Sequence, residues 1–236
     1  MDIPIKFKKI RNCNLNTYGV SDMGLNKKII VFTGPSLQPS EASQILEADY
    51  RPPVARGDII TALKDQPDVI AIIDGVFHKE PAVSHKEILE AIRKGVLVVG
   101  GASMGALRAS ELDDFGMVGI GQVYSDYRNG VVESDDDVAV VINPETMEQL
   151  SEALISMKYT FKVALKKELI NETDYNILLK TAKSIYYPKR TYTKVLKDSG
   201  LDENKVNLIK KFLEKNVLDI KRNDAEAVLE YVKKLE

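Results

Sequence analysis

Val96-Leu97-Val98-Val99-Gly100-Gly101-Ala102-Ser103-Met104-Gly105 is the stretch whose reading decides the fold. Its apolar opening, mostly β-branched, predicts a strand buried on both faces. Ala106-Leu107-Arg108-Ala109-Ser110-Glu111-Leu112 follows as good helix-forming sequence. Between them, Gly101-Ala102-Ser103-Met104-Gly105 fits the G-x-S-x-G pattern, in which a sharp strand-to-helix turn raises a serine above a sheet. Glycines suit that turn because backbone and helix approach closely and leave little room for Cβ atoms. A plain glycine-rich turn that only holds an anion fits the same five residues. Ser103 is the candidate nucleophile. Met104 and Gly105, at the start of the helix, are placed to hold an oxyanion or a bound anion.

The alternation of strand and helix continues on either side. Lys28-Ile29-Ile30-Val31-Phe32-Thr33 predicts a buried strand ended by Gly34-Pro35. Asp68-Val69-Ile70-Ala71-Ile72-Ile73-Asp74 predicts a second, closed by Gly75, and a helix over 82–94 ends at Gly95. Ser40 and Asp58 read as helix caps, while Pro52 and Pro53 leave residues 50–54 extended at most. Val138-Ala139-Val140-Val141-Ile142 predicts one more strand. Apolar strands alternating with helices make an α/β domain, a parallel sheet in three layers with a crevice at the strand ends. From Pro144 helical periodicity takes over, as in Leu150, Leu154, Ile155 and Met157. The expected division is an N-terminal extension (1–26), an α/β core (27–143) and an α-helical C-terminal region (144–236).

Composition narrows the function classes. The 236 residues are 44% hydrophobic and 29% charged, ordinary for a globular protein. No apolar run is long enough to span a bilayer, and Lys6, Lys8, Lys9 and Arg11 interrupt any leader-like core, so a cytoplasmic protein without membrane contact is expected. A single cysteine, Cys13, and two histidines exclude an internal disulfide and make a zinc site untenable, so no metal and no cofactor is expected. Asp135-Asp136-Asp137 has no ligand cluster with it and reads as a solvated turn. Residues 1–157 carry 15 Lys and Arg against 23 Asp and Glu, and residues 158–236 carry 18 against 12. That split suits either a basic docking face or a solvated helical surface. No basic run interleaved with aromatics points to nucleic acid.

Three signals fall at strand ends: Thr33-Gly34-Pro35-Ser36, Asp74-Gly75 and the Ser103 turn. A parallel sheet brings such ends to one crevice, where Thr33, Gly34, Pro35, Ser36 and Gly75 would contact substrate. His85 shares a helical stripe with Ile88, Leu89 and Ile92, and is expected to point inward as the general base for Ser103. His78, in the loop after Phe77, is the other candidate. Asp74 is expected to orient the histidine, or else to cap the next loop. Arg51, Arg56 and Arg108 are candidate clamps for an anionic group, although Arg108 has an ion-pair partner three residues on in Glu111. Arg190-Thr191-Tyr192 reads as helix initiation and packing, with a partner surface as its other use.

Beyond these readings, an ordered series of motifs resembles the TfuA-like protein family. It comprises Thr33–Leu37, Ala48–Asp58, Asp74–His78, Pro81–Leu89, Gly101–Leu112, Phe115–Gly119 and Asp135–Ala139, with an echo at Tyr187–Tyr192. The resemblance covers about residues 28–144. It implies a partner of a YcaO enzyme, which uses ATP to activate a peptide amide for thioamidation. It further implies sulfur supply from the thiocarboxylated C-terminus of a small ubiquitin-like carrier protein. Ser103 attack on that carbonyl would expel hydrosulfide, a good leaving group that asks little of a general acid. The other reading is a non-catalytic adaptor that docks the YcaO enzyme or its peptide. A nucleotide-binding module is disfavoured, since neither G-x-G-x-x-G nor a Walker pattern is present.

Overall fold

The computed structural model describes residues 27–76, 81–132, 134–143 and 149–236. Five parallel strands form the sheet: β1 (Ile29–Phe32), β2 (Asp49–Arg51), β3 (Val69–Ile72), β4 (Leu97–Gly101) and β5 (Val118–Ile120), in the order β2-β1-β3-β4-β5. Ile30, Phe32, Ile70, Ile72 and Val98 face one side, packed under α2 (Asp58–Ala62), α3 (His85–Arg93) and α4 (Met104–Leu112). Ile29, Val31, Val69, Ala71 and Val99 face the other. This is the period-two alternation of a strand, here apolar on both sides because helices cover both.

The second face draws on the C-terminal helical region as well. It is covered by α1 (Pro39–Ala42) and by α10 (Ile220–Lys233), the last helix, through Ala225, Val228, Leu229 and Val232. A boundary at 143/144 therefore does not separate two packing units. Residues 220–233 belong to the α/β core that the first half of the chain begins.

The remaining helices, α6 (Leu154–Lys166), α7 (Glu172–Ser184), α8 (Tyr192–Asp198) and α9 (Glu203–Asn216), build a separate core around Met157, Phe161, Leu178, Ala182, Val195 and Ile209. Arg190 is fully buried and staples this unit to the segment 135–137. Its guanidinium donates to the Ala182 carbonyl (3.0 Å), the Asp136 carbonyl (3.0 Å) and the Asp136 carboxylate (2.6 Å).

The strand expected at Val138–Ile142 does not form. Residues 135–137 make a 3₁₀ turn, Val138 and Ala139 are buried beside α5 (Gln122–Arg128), and Ile142 makes only an isolated bridge to Gln149. The fifth strand is instead Val-Gly-Ile at 118–120, too short and too interrupted to read as a strand. Gly119 is there for packing: a Cβ would lie 2.2 Å from the ring of Tyr124.

Candidate active site

The strand order reverses direction between β1 and β3, and in open sheets that is where ligands enter, beyond the carboxyl ends. Here the reversal is filled. Asp74, two residues beyond Ile72 at the end of β3, accepts the Gly34 and Ser36 amides on Oδ2 (2.9 Å each) and the Ser36 hydroxyl on Oδ1 (2.6 Å). Thr33 Oγ1 donates to the Leu37 carbonyl (2.7 Å) and closes the same loop. From the β2 side, the Val54 amide donates to the Asp74 carbonyl (3.0 Å) and the Val76 amide to the Val54 carbonyl (3.1 Å). Pro53 covers Gly34, where a Cβ would sit 2.6 Å from its ring.

Asp74 thus winds the β1 loop; among the described residues its carboxylate accepts from Gly34 and Ser36 and pairs with no histidine. The Gly34 and Ser36 amides, expected to meet substrate, are used by that carboxylate. Pro35 is half-buried in the loop between them. Gly75 lies under Met104, with a Cβ there only 2.6 Å from Met104 Cγ.

Ser103 sits one strand over, at the turn from β4 into α4. The Ser103 amide donates to the Gly101 carbonyl (2.8 Å), and Ala102 between them has φ 64. A three-residue turn with a positive φ on a residue other than glycine is strained and persists only when packing enforces it. The strain falls on Ala102, while Ser103 has φ −132 and ψ −114. Ser103 is 2% exposed, and among the described residues its hydroxyl makes no hydrogen bond and caps no helix. Since no fully enclosed side-chain oxygen there lacks a partner, that hydroxyl faces what remains of the crevice. The Gly105 amide donates to the Ile73 carbonyl (3.3 Å). Among the described residues the Met104 amide has no backbone partner, and it points out of the N-terminal end of α4.

One buried cation within electrostatic reach of Asp74 escaped the sequence reading. Lys221, in the first turn of α10, is 3% exposed, and its ammonium donates to the Val138 carbonyl (3.0 Å). Burial pushes its pKa below the ordinary lysine value, with the negative charge of Asp74 opposing. The signal was available: Lys221 lies on the same helical stripe as Ala225, Val228, Leu229 and Val232, a cation on an apolar face. No hydrogen bond joins Lys221 to Ser103 in this conformation.

His85 is not where the stripe argument put it. The buried side of α3 is Glu87, Ile88 and Ala91, and His85 is the first residue of the helix, after the Ser84 cap. Its side chain is 47% exposed and Nε2 lies 2.8 Å from Glu111 Oε2. Glu111 is eight residues beyond Ser103, about 12 Å along the helix axis, so the two are not brought together. His78 lies outside the described residues, as do residues 1–26.

Two of the three candidate arginines are spent on structure. Arg51 bridges Asp49 and Asp65 (2.6 and 2.7 Å). Arg108 donates to the Val83 carbonyl (3.0 Å) and pairs with Glu111 (2.7 Å). Arg56 is exposed beside the bridge from Val54 to Gly75, with no ion pair among the described residues. Those residues contain no cluster of ligands for a metal ion and no helix long and apolar enough to cross a membrane.

Compared with known families, the chain matches the one described as TfuA-like protein over residues 74–191, half of its length. The match includes Asp74, His85 and Ser103 and runs on through α6 and α7; the β1 loop, Arg51, Arg56 and Lys221 fall outside it. No curated protein matches the chain.

Proposed function

The chain belongs to the TfuA-like family, whose members are accessory partners of YcaO enzymes, and from that premise we propose that it hydrolyses the C-terminal thiocarboxylate of a ubiquitin-like sulfur carrier. The observation that carries this reading is the unbonded Ser103 hydroxyl at the N-terminal end of α4.

In the proposed reaction Ser103 Oγ attacks the thiocarboxylate carbonyl, and its proton passes to the Lys221 amine. A lysine with its pKa lowered by burial is neutral more of the time and so suits a general base. The Met104 amide stabilises the developing oxyanion. The Lys221 ammonium returns that proton to the sulfur as the C–S bond breaks and hydrosulfide leaves; the freed amine then deprotonates the water that cleaves the Ser103 ester and hands the proton back to Ser103 Oγ. The products are carrier carboxylate and sulfide, with no redox change. Arg56, at the mouth of the edge, is the cation left to attract an acidic carrier surface.

The test is sulfide release from a thiocarboxylated carrier, followed beside intact mass of the protein. Wild type is expected to release sulfide and to carry a transient acyl adduct, and folded Ser103→Ala to do neither. Release at the wild-type rate by folded Ser103→Ala rejects the hydrolase and leaves the adaptor reading, in which this edge only docks a partner.

A further inference from the structure

A shallow groove of about 460 Å³ runs along the outer face of α3, beside the end of α4 that lies away from Ser103. Lys86, Leu89, Ile92 and Arg93 line it from α3, and Phe115 from the 3₁₀ turn that follows α4. Phe115 is 62% exposed, a large aromatic side chain standing in water. The turn beyond it holds it there: Gly116 has φ 104 and packs on Ile92, where a Cβ would lie 3.4 Å from Cγ2. Two of the motif stretches, Pro81–Leu89 and Phe115–Gly119, meet at this groove, and nothing proposed for Ser103 uses it. Exposed apolar surface rimmed by polar groups is where partners dock.

The charge left over at the groove is positive. Lys86 makes no hydrogen bond or ion pair among the described residues. Arg93 and Lys94 share one carboxylate, Glu90, and Arg93 spends a single nitrogen on it. The nearby acids are already held: Glu111 by Arg108 and His85, and Asp113 and Asp114 by Arg128. Three cations therefore share one carboxylate, and Lys86 and Arg93 stand at the two ends of the apolar strip.

We propose that the groove docks an amphipathic helix of a partner protein, one whose apolar anchors are flanked by carboxylates seven positions apart. Lys86 and Arg93 are seven residues, and so about 10.5 Å, apart along α3. Two turns of a helix laid alongside repeat at that distance, with anchors three and four positions in to meet Leu89, Ile92 and Phe115. Residues on one face of an extended strand repeat at about 6.6 or 13 Å and miss one cation or the other. A second copy of this chain fits worse, because two-fold pairing of antiparallel α3 helices sets Lys86 of each copy against Arg93 of the other. A broad anionic membrane surface would also meet Glu111 and Asp114, whereas a single helix reaches only the groove. The proposal is independent of the hydrolysis assigned to Ser103.

The experiment uses the full chain and a fluorescein-labelled synthetic helical peptide, read by anisotropy. The peptide carries glutamate at two positions seven apart and leucine three and four positions after the first. A second peptide has lysine in place of both glutamates. The acidic peptide is expected to bind saturably and the basic one at least about tenfold more weakly, since like charges then meet. Phe115→Ser should weaken binding of the acidic peptide at least about tenfold, the usual cost of losing an aromatic anchor. Lys86→Glu should lower its affinity and raise that of the basic peptide. Both side chains are exposed, so an unchanged Tm is expected of both variants; should Phe115→Ser fold poorly, Lys86→Glu decides the matter. No saturable binding of the acidic peptide at millimolar concentration, or binding indifferent to Lys86→Glu, overturns the proposal. So does a dimer in sedimentation that Phe115→Ser dissolves, which puts a second copy in the groove. Phe115-dependent binding to phosphatidylserine vesicles without binding of the peptide overturns it in favour of a membrane.

Discussion

Gly105 lies so close to Ile72 that a Cβ on it would sit 1.7 Å from the Ile72 carbonyl oxygen. The atom in the way is backbone in the central strand β3, so no rotamer change relieves the clash. Gly105→Ala must lift the first turn of α4 off the sheet and is expected to cost more than about 4 kcal/mol, in the range reserved for a named structural failure. Chemical denaturation measures it. An alanine variant within about 1 kcal/mol of wild type would show that α4 can shift freely, contrary to the packing described.

Lys221→Met should separate function from stability. A methionine fills the same space without a buried amine, so the unfolding free energy should be equal or higher, even with the Val138 carbonyl left unpaired. Sulfide release should fall by ~10²–10⁴-fold, the usual worth of a general base. Full activity in Lys221→Met would remove the lysine from the proposed chemistry.

His85→Gln should leave sulfide release within about twofold of wild type, because its ring pairs with Glu111 far along α4 from Ser103. A tenfold or greater loss, with folding intact, would mean that the working conformation brings α3 much nearer to Ser103.

Asp224 predicts a pH dependence of folding. On α10, it accepts the Gln122 and Val123 amides (2.8 and 2.7 Å) and so caps α5. Burial raises its pKa from 3.8 to about 6, against those two hydrogen bonds. Above pH 6 the group is ionised in both folded and unfolded chains, and the full cost of burying the charge, about 3 kcal/mol, is present. As pH falls from 6 toward 4 the folded state takes up the proton first and that cost is relieved. The stability of wild type relative to Asp224→Asn should therefore rise as pH drops through this window and be flat above it. A difference that stays constant from pH 7 to 4 contradicts the assignment.

Apolar runs made β1, β3 and β4 and the three-layer arrangement legible, because a strand buried on both faces has few other sequences to choose from. The role of α10 was not legible. Its stripe of Ala225, Val228, Leu229 and Val232 looks like any amphipathic helix, and only its distant partners place it on the sheet. The site was half legible for the same reason. Ser103 announces itself through the glycines its turn requires, whereas Lys221, the base proposed for it, lies 118 positions further along the chain. His85 misled because Ile88, Leu89 and Ile92 define a stripe only if the helix is already regular at residue 85. It starts there, with the ring turned toward Glu111. Asp74 and Arg108 took the plainer of the readings open to them, a loop cap and an ion pair with Glu111.

The position of α10 also governs how the protein is made. Val31, Ala71 and Val99 emerge from the ribosome well before Ile220–Lys233, the helix that covers them. Until residues 220–233 appear, that side of the nascent sheet has only the α1 region over it, and much of its apolar surface stays uncovered. The α/β half therefore completes its packing only once residues 220–233 are made, while the bundle around Phe161 and Leu178, whose contacts lie within residues 154–213, can assemble before them.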